Sequence, residues 1–438
     1  MQTTLPTVTI VGAGLAGCEA AWQLAKRGVP VKLYDMKPVK YSPAHKSPGF
    51  AELVCSNSLK AEHLTNASGL LKAELRAMDS LILSAGEATR VPAGGALAVD
   101  RHLFSDRITE AVKGHPLIEF ESRVIDEIPE GPVIIATGPL TDPALCDAIA
   151  AYTGSRALNF FDAAAPIVTA DSLDMTRVFR ASRYGRGADD YLNCPMTEAE
   201  YNAFYDALIS AELAELHDFE RKLVFEGCLA VEILASRGRQ TLAFGPLKPV
   251  GLTDPRTGKA PYAVVQLRQE NAQATMYNLV GFQTRLKWGE QKRVFSMIPG
   301  LEHAEFVRYG VMHRNTYLNG PELLGANYAL KGNPMVRFAG QLSGVEGYME
   351  STASGLTAAV GLYCALAGKS EPDFTGRTIL GALSRHVSTP NPNFQPMNAN
   401  FGILEPLPFR VKGKRNRYEK LSEIAIETLN EVIKTYEL

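Results

Sequence analysis

The sequence predicts an α/β protein, with a discontinuous Rossmann-like domain built from both ends of the chain and an α+β domain inserted between them. Three observations predict it. The pattern Gly12-x-Gly14-x-x-Gly17 stands between an apolar run and an apolar-periodic helix. Two later apolar runs, 133–136 and 336–339, each lead into a glycine turn. From about 159 to 324 the chain changes character, to short strands and turn signals such as Asp254-Pro255-Arg256-Thr257-Gly258. At 438 residues the chain also exceeds what a single core usually holds. The division expected is 1–158 and 325–438 for the two parts of the dinucleotide domain and 159–324 for the insert.

The elements follow in order. Residues 7–11 read as a short buried strand, 19–27 as a helix stopped by Gly28, and 31–34 as a second strand ending at Asp35. This is a βαβ unit of the expected length. Helix formers fill 68–78 and 103–112, and 133–136 reads as a strand running into Thr137-Gly138-Pro139. The insert holds a helix over 198–215 and strands over 262–267 and 276–280. Residues 336–339 then form a strand broken by Gly340, followed by a small-residue helix over 353–367 and a terminal helix over 417–436. The chain shows no internal repeat and no low-complexity segment.

Composition narrows the function classes. Apolar residues make up 46% and charged residues 21%, ordinary for a globular cytoplasmic protein. No apolar run has the length of a membrane span, and no signal peptide is expected, because the apolar stretch near the start runs straight into glycines. The net charge of −2 argues against holding nucleic acid by bulk charge, while leaving room for local basic patches. Cys18, Cys55, Cys146, Cys194, Cys228 and Cys364 are scattered with no CxxC pair, so reduced thiols are expected and no metal site.

The glycine motif predicts a bound dinucleotide at Gly12, Ala13, Gly14, Leu15, Ala16 and Gly17. The first glycine permits the tight turn, the second lets the backbone approach a pyrophosphate, and the third lets helix pack on strand. The pyrophosphate then faces the free N–H groups at the helix N-terminus. The Asp35 carboxylate is placed to accept hydrogen bonds from an adenosine ribose. Two features favour FAD over NAD. The turn at Gly138 resembles a second cofactor-proximal turn of glutathione-reductase-type flavoproteins. The segment Gly340-Gln341 with its small-residue helix resembles the late segment that aims a helix N-terminus at the flavin, where the dipole favours negative charge.

Several longer motifs carry a more specific likeness. They include Ala51-Glu52-Leu53-Val54-Cys55-Ser56-Asn57-Ser58, Val91-Pro92-Ala93-Gly94-Gly95, Tyr191-Leu192-Asn193-Cys194-Pro195-Met196 and Gly245-Pro246-Leu247-Lys248-Pro249. Further along stand Gly281-Phe282-Gln283-Thr284, Val311-Met312-His313-Arg314-Asn315, Gly344-Val345-Glu346-Gly347-Tyr348 and Asn393-Phe394-Gln395-Pro396-Met397-Asn398. In this order, over nearly the whole chain, they resemble the folate- and FAD-dependent tRNA uridine-5-methyltransferases, the TrmFO family. Two positions depart from the family's pattern: Ala230 stands where proline is usual, and Cys18 where serine is common.

The resemblance implies methylation of uridine 54 in the T loop of tRNA. The carbon would come from 5,10-methylenetetrahydrofolate and the electrons from FAD reduced by NADH or NADPH. Uracil C5 is a poor nucleophile; a thiolate adding to C6 makes it an enolate able to attack a methylene donor, and a base then removes the C5 proton. The resemblance selects Cys55 and Cys228, with Cys228 as nucleophile and Cys55 as base or flavin-positioning thiol. It places Glu346, Gly347 and Tyr348 with Gly340 at the flavin. His313 and Tyr348 would supply flat partners on the folate and flavin face, and Arg314 would meet the folate carboxylates.

RNA contact is expected from basic residues interleaved with aromatics. Arg180, Arg183 and Arg186 surround Tyr184; Arg285, Lys287, Lys292 and Arg293 surround Trp288; the tail adds Lys412, Lys414, Arg415, Arg417 and Lys420. The partners expected are tRNA and folate, with the chain a monomer or weak dimer. The competing readings are the same chemistry on a ribosomal RNA uridine, a relative modifying the wobble uridine, and a non-enzymatic flavin-binding tRNA chaperone. The wobble enzyme is usually longer, and the chaperone has no use for both cysteines.

Overall fold

The computed structural model describes residues 5–155, 158–185, 188–214, 229–310, 312–392 and 394–438. The N-terminal part follows the βαβ pattern. Strand β1 (Val8–Val11) leads into α1 (Leu15–Lys26) and β2 (Val31–Asp35). Then come β3 (Ser58–Ala61), α2 (Ala67–Ala77), α3 (Leu81–Ala88), β4 (Arg90–Val91), β5 (Ala96–Val99) and α4 (Arg101–Gly114). Strands β6 (Ile118–Ser122) and β7 (Val133–Ile135) and helix α5 (Pro143–Thr153) complete it. Short polar residues start the helices: Asp100 caps α4 through the N–H groups of His102 and Leu103, and Asp142 caps α5 ahead of Pro143.

The middle holds β8 (Leu158–Ala163), β9 (Ile167–Thr169), β10 (Phe179–Arg180), β11 (Tyr191–Met196), α6 (Glu198–Ile209), α7 (Val231–Ser236) and α8 (Thr241–Phe244). It continues with β12 (Ala263–Gln269), β13 (Met276–Leu279), α9 (Trp288–Phe295), β14 (Phe306–Arg308) and β15 (Met312–Tyr317). The last part holds α10 (Gly320–Leu323), β16 (Ala329–Leu330), β17 (Asn333–Phe338), α11 (Tyr348–Leu366), α12 (Ile379–Ser388) and α13 (Lys414–Tyr436).

Among the described residues the strands form four sheets. The first has the order β16-β17-β7-β1-β2-β6, parallel throughout except for the β16 edge. Strand β17 thus returns from the far end of the chain to pair beside β7, in the register Val336↔Val133. The second, β10-β11-β12-β13-β9-β14, is antiparallel, and β8 pairs antiparallel with β15 in a ribbon at the two crossings between them. A small antiparallel sheet, β3-β5-β4, follows the first βαβ unit.

The buried apolar residues separate in the same way. One core joins residues from Val8 to Ile149 with residues from Tyr317 to Val432. Another runs from Val168 to Ala304. Helix α1 packs on α11 at very short range, because Gly355 on α11 would drive a Cβ to 2.2 Å from the Ala16 carbonyl oxygen. Only a residue without Cβ fits there.

Helix α1 begins at Leu15, four residues before the expected 19, and three other boundaries also differ from the sequence reading. Helix α6 stops at Ile209, since the chain turns at Ser210 and Leu213 bridges to Leu286. Helix α13 begins at Lys414, directly after Gly413 with φ +89°. The small-residue helix α11 begins at Tyr348, five residues earlier than its small-residue run suggests, released by Gly347 with φ +115°. That extension points the start of α11 at the site described next. No helix among the described residues is long and apolar enough to cross a membrane, and no group of three His, Cys, Asp or Glu residues is placed to hold a metal ion.

Candidate active site

The glycine loop between β1 and α1 is built by close approach. Gly12 has φ +105°, and a Cβ there would stand 2.5 Å from the Ala136 carbonyl oxygen at the end of β7. A Cβ on Gly17 would stand 1.8 Å from the Gly12 carbonyl oxygen. Gly14 is the opposite case: its missing Cβ faces open space, with nothing within 4 Å. No side chain caps α1 at Gly14, so its first N–H groups face the same opening. Loop and strand end are fastened by Asp35, whose Oδ2 accepts from Ala13 N–H (2.7 Å) and whose Oδ1 accepts from Lys37 N–H (2.8 Å). The carboxylate anticipated at a ribose therefore also fixes the glycine loop, a backbone role the motif alone does not reveal.

This opening is a cleft of about 130 Å³ that Gly12, Gly14, Asp35, Thr137, Gly138 and Gly340 help to line. It is continuous with a cavity of about 270 Å³. The two share Val54, Pro139, Leu140, Gln341, Tyr348 and Ser351. Cys55, Glu346, Gly347 and Tyr348 all line the larger cavity. The start of α11 at Gly347 carries no side-chain cap and meets this space, and Asn398 contributes a buried Oδ1 there that has no partner within the protein. An elongated ligand with a diphosphate at one end and a flat polar ring system at the other fits these features. FAD is such a ligand: Gly12–Gly17 would hold its diphosphate, and the α11 start with Asn398 its ring.

Cys55 sits on a loop held from several sides. The Tyr348 hydroxyl oxygen accepts from Cys55 N–H (2.9 Å) and Ser56 N–H (3.2 Å). Burial, reinforced by the nearby Cys55, pushes the Tyr348 phenol far up, so it stays protonated. Arg101 donates to the Leu53 carbonyl (2.6 Å), Arg308 to the Val54 carbonyl, and Arg268 to Ser56 Oγ (2.6 Å) and Asn57 Oδ1 (2.9 Å). Glu270 pairs with Arg101 at 2.5 Å. Beside the cavity, Lys60 pairs with the buried Glu350 at 2.9 Å. Arg268, Glu270 and Arg308 did not stand out in the sequence, because each lies more than two hundred residues along the chain from Cys55.

The remaining expected site residues fall elsewhere. Cys228 and Arg186 lie outside the described residues. His313 and Arg314 belong to β15, opposite Asp162 and Phe161 of β8, and Asn315 on the same strand lines the larger cavity. Arg183 is occupied within the protein: it donates to the Lys248 and Val250 carbonyls and to Gln266 Oε1. It fastens the turn before β12 instead of pointing free toward a phosphate. Lys287 pairs with Glu212 at 2.8 Å, and Lys414 lies 5.6 Å from the centroid of the Tyr418 ring. Trp288 is 61% exposed and stacks on Tyr309 (5.5 Å, 12°), which stacks in turn on Phe306 (5.1 Å, 14°). Cys18 is fully buried against the Ala13 carbonyl, a packing residue as the sequence suggested.

A parallel sheet with its strand ends at a glycine loop, a second glycine turn at Gly138 and a late helix aimed into a linked cavity define a flavoprotein of Rossmann-like fold that binds FAD. The comparisons with known proteins agree and go further. The family model "Glucose inhibited division protein A" matches residues 7–370. A relative in Acetivibrio thermocellus is 57% identical over 431 residues, covering 98% of this chain and 99% of its own length. One in Desulforamulus reducens is 59% identical over 428 residues, covering 97% of each. Both are named methylenetetrahydrofolate–tRNA-(uracil-5-)-methyltransferase TrmFO. The chain belongs to the TrmFO family. Among solved structures, GidA of Aquifex aeolicus in its form II crystal has a TM-score of 0.68 at 14% identity, over all of this chain and 77% of that one, a likeness of fold.

Proposed function

We propose that this chain methylates C5 of the T-loop uridine of tRNA, taking the carbon from 5,10-methylenetetrahydrofolate and the electrons from FAD reduced by NADH or NADPH. The observation that carries the reading is the continuity of the glycine-loop cleft with the cavity that Cys55 lines. It brings a thiol and a cofactor cleft to one space, as a methylation that needs both requires. Reduced FAD, when bound, supplies the electrons that turn a transferred methylene into a methyl group.

The chain's own residues have separable tasks. Gly14 and the α1 N-terminus bind the cofactor diphosphate, and the α11 N-terminus orients its ring. Cys228 adds through sulfur to uracil C6, pushing the C5–C6 electron pair toward the carbonyl and making C5 nucleophilic. Cys55 takes the C5 proton once the new carbon–carbon bond is formed, and the electron pair left at C5 restores the C5–C6 double bond and expels the Cys228 sulfur from C6. Tyr348 holds the Cys55 loop by its two N–H groups. His313 and Arg314 present the folate, the imidazole by stacking and the guanidinium through carboxylates. The units 1–158 with 325–438 hold the flavin, and 159–324 faces the RNA. The protein works in the cytoplasm as a monomer or weak dimer.

The test uses FAD-loaded enzyme, folate labelled at the methylene carbon, NADPH and a T-loop minihelix. Cys55→Ala and Cys228→Ala should each lower label transfer by at least ~100-fold. Full transfer by both variants would refute the assignment of the cysteines.

A further inference from the structure

The loop carrying Cys55 is enclosed by more buried positive charge than its surroundings neutralise. Arg101 comes from α4, Arg268 from β12 and Arg308 from β14. Their guanidinium groups grip residues 53, 54, 56 and 57, the four immediate neighbours of Cys55. Glu270, directly after β12, pairs with Arg101 and is the carboxylate that also acts on Arg268 and Arg308. On this loop Arg268 and Arg308 donate to neutral oxygens: the Asn57 amide, the Ser56 hydroxyl and the Val54 carbonyl.

The other titratable groups nearby are already committed. Glu52, on the same segment, accepts from the backbone of Lys46 and Ser47 and pairs with Lys37. His45 is held neutral by burial, with Lys37 adding to the effect. Lys60 is paired with Glu350. Tyr348 faces the loop from α11 as a protonated phenol, and burial pulls both Arg268 and Arg308 below the ordinary guanidinium range, as expected of cations short of counter-charge. Glu346 lines the same cavity and accepts from the Gln341 amide, while the Cys55 thiol, like Glu270, acts electrostatically on all three guanidinium groups.

We propose that Arg101, Arg268 and Arg308 form an electrostatic cage that holds Cys55 as a thiolate at neutral pH, with Arg268 and Arg308 as positioning residues supplied by the middle sheet. Desolvated guanidinium groups lower a neighbouring thiol's pKa much as a histidine partner or a helix start does. The proton goes to solvent, and the thiolate is the form of Cys55 able to take one back from C5. The inference extends the proposed role of Cys55 as base, and its test is independent of methylation. Because two of the arginines belong to the middle sheet, the charge on Cys55 also reports how that sheet is seated against the flavin-binding part.

The experiment is an ultraviolet thiolate titration of the FAD-loaded enzyme, taken as the difference between wild type and Cys55→Ser across the pH range. Wild type should show a midpoint at least about one unit below the ~8.5 of a free cysteine. Arg308→Gln and Arg268→Gln should each raise it by about one unit, a tenfold smaller thiolate fraction near neutrality, and Arg308→Lys should restore most of it. A wild-type midpoint at or above the free-cysteine value overturns the proposal, whether or not the variants fold. An unchanged midpoint in both glutamine variants, with flavin retained, overturns it equally.

Discussion

Two substitutions in the glycine loop separate binding from folding. Gly17→Ala places a methyl group 1.8 Å from the Gly12 carbonyl oxygen and 3.4 Å from the Ala136 side chain. The backbone oxygen has no rotamer to escape by, so α1 must lift from β1. Overpacking of this kind costs roughly 1–3 kcal/mol, and a backbone contact lies at the upper end. Gly14→Ala meets nothing within 4 Å, and Gly14 has φ −76°, a value alanine adopts without strain. The apoprotein should therefore keep its stability to within about 0.5 kcal/mol. The same methyl group projects where the diphosphate must approach α1, so FAD affinity should fall by about 100-fold, equivalent to roughly 2.7 kcal/mol. Urea unfolding of the two apoproteins reads the first effect, and quenching of flavin fluorescence on titration reads the second. The reasoning is refuted if Gly14→Ala binds FAD like wild type, or if Gly17→Ala apoprotein unfolds at the wild-type urea concentration.

Other outcomes follow from single contacts. Trp288→Ala should weaken tRNA binding by roughly 1–3 kcal/mol, the range of one base–aromatic stack, with folate and flavin binding unchanged in the same titrations. Arg183→Ala should lower stability by about 0.5–1.5 kcal/mol, since water can take over the exposed Lys248 and Val250 carbonyls, yet leave the salt slope of tRNA binding where it was. Lys414→Ala, by contrast, should reduce that slope by about one. Glu74 is fully buried, with its oxygens on the Ile379 and Leu380 N–H groups at the start of α12, and burial raises its pKa from 4.5 to about 8. The native protein then holds a proton that the unfolded chain releases, so this contribution to stability is complete below pH 4.5 and is lost as the pH rises to about 8. Glu74→Gln should flatten the decline in urea midpoint across that window; an unchanged decline would exclude Glu74 as its source.

The legible parts of this protein are those decided by neighbours in the chain. The glycines from Gly12 to Gly17 announce themselves because turn, close approach and packing each demand glycine at a fixed spacing. Gly138 and Gly340 were visible for the same reason, and the strands predicted at 7–11, 31–34, 133–136, 262–267, 276–280 and 336–339 correspond to β1, β2, β7, β12, β13 and β17, while the other strands of the two large sheets carried no clear signal. The start of α11 was misjudged because its first turn, Tyr348-Met349-Glu350-Ser351, lacks the small residues of the rest, while the signal that starts it is the positive φ of Gly347. The charge around Cys55 was not legible at all. Arg101, Arg268 and Arg308 occupy ordinary positions in α4, β12 and β14, Glu270 follows β12 directly, and only the seating of the middle sheet on the Cys55 loop gives them a common target. The basic clusters were legible only as spacing: it put Arg183 and Lys287 beside aromatics, but it does not show that Arg183 donates to the Lys248 and Val250 carbonyls or that Lys287 pairs with Glu212 at the surface.

The central claim is that a folate-borne carbon reaches a tRNA uridine in the space shared by the flavin cleft and Cys55. The direct measurement incubates the FAD-loaded protein with methylene-labelled 5,10-methylenetetrahydrofolate, NADH or NADPH, and unmodified tRNA. A parallel reaction contains ribosomal RNA. Mass spectrometry of nuclease fragments then maps 5-methyluridine. The account predicts label in a single T-loop fragment of tRNA and none in ribosomal RNA. Label in ribosomal RNA alone, or in neither RNA, would contradict it.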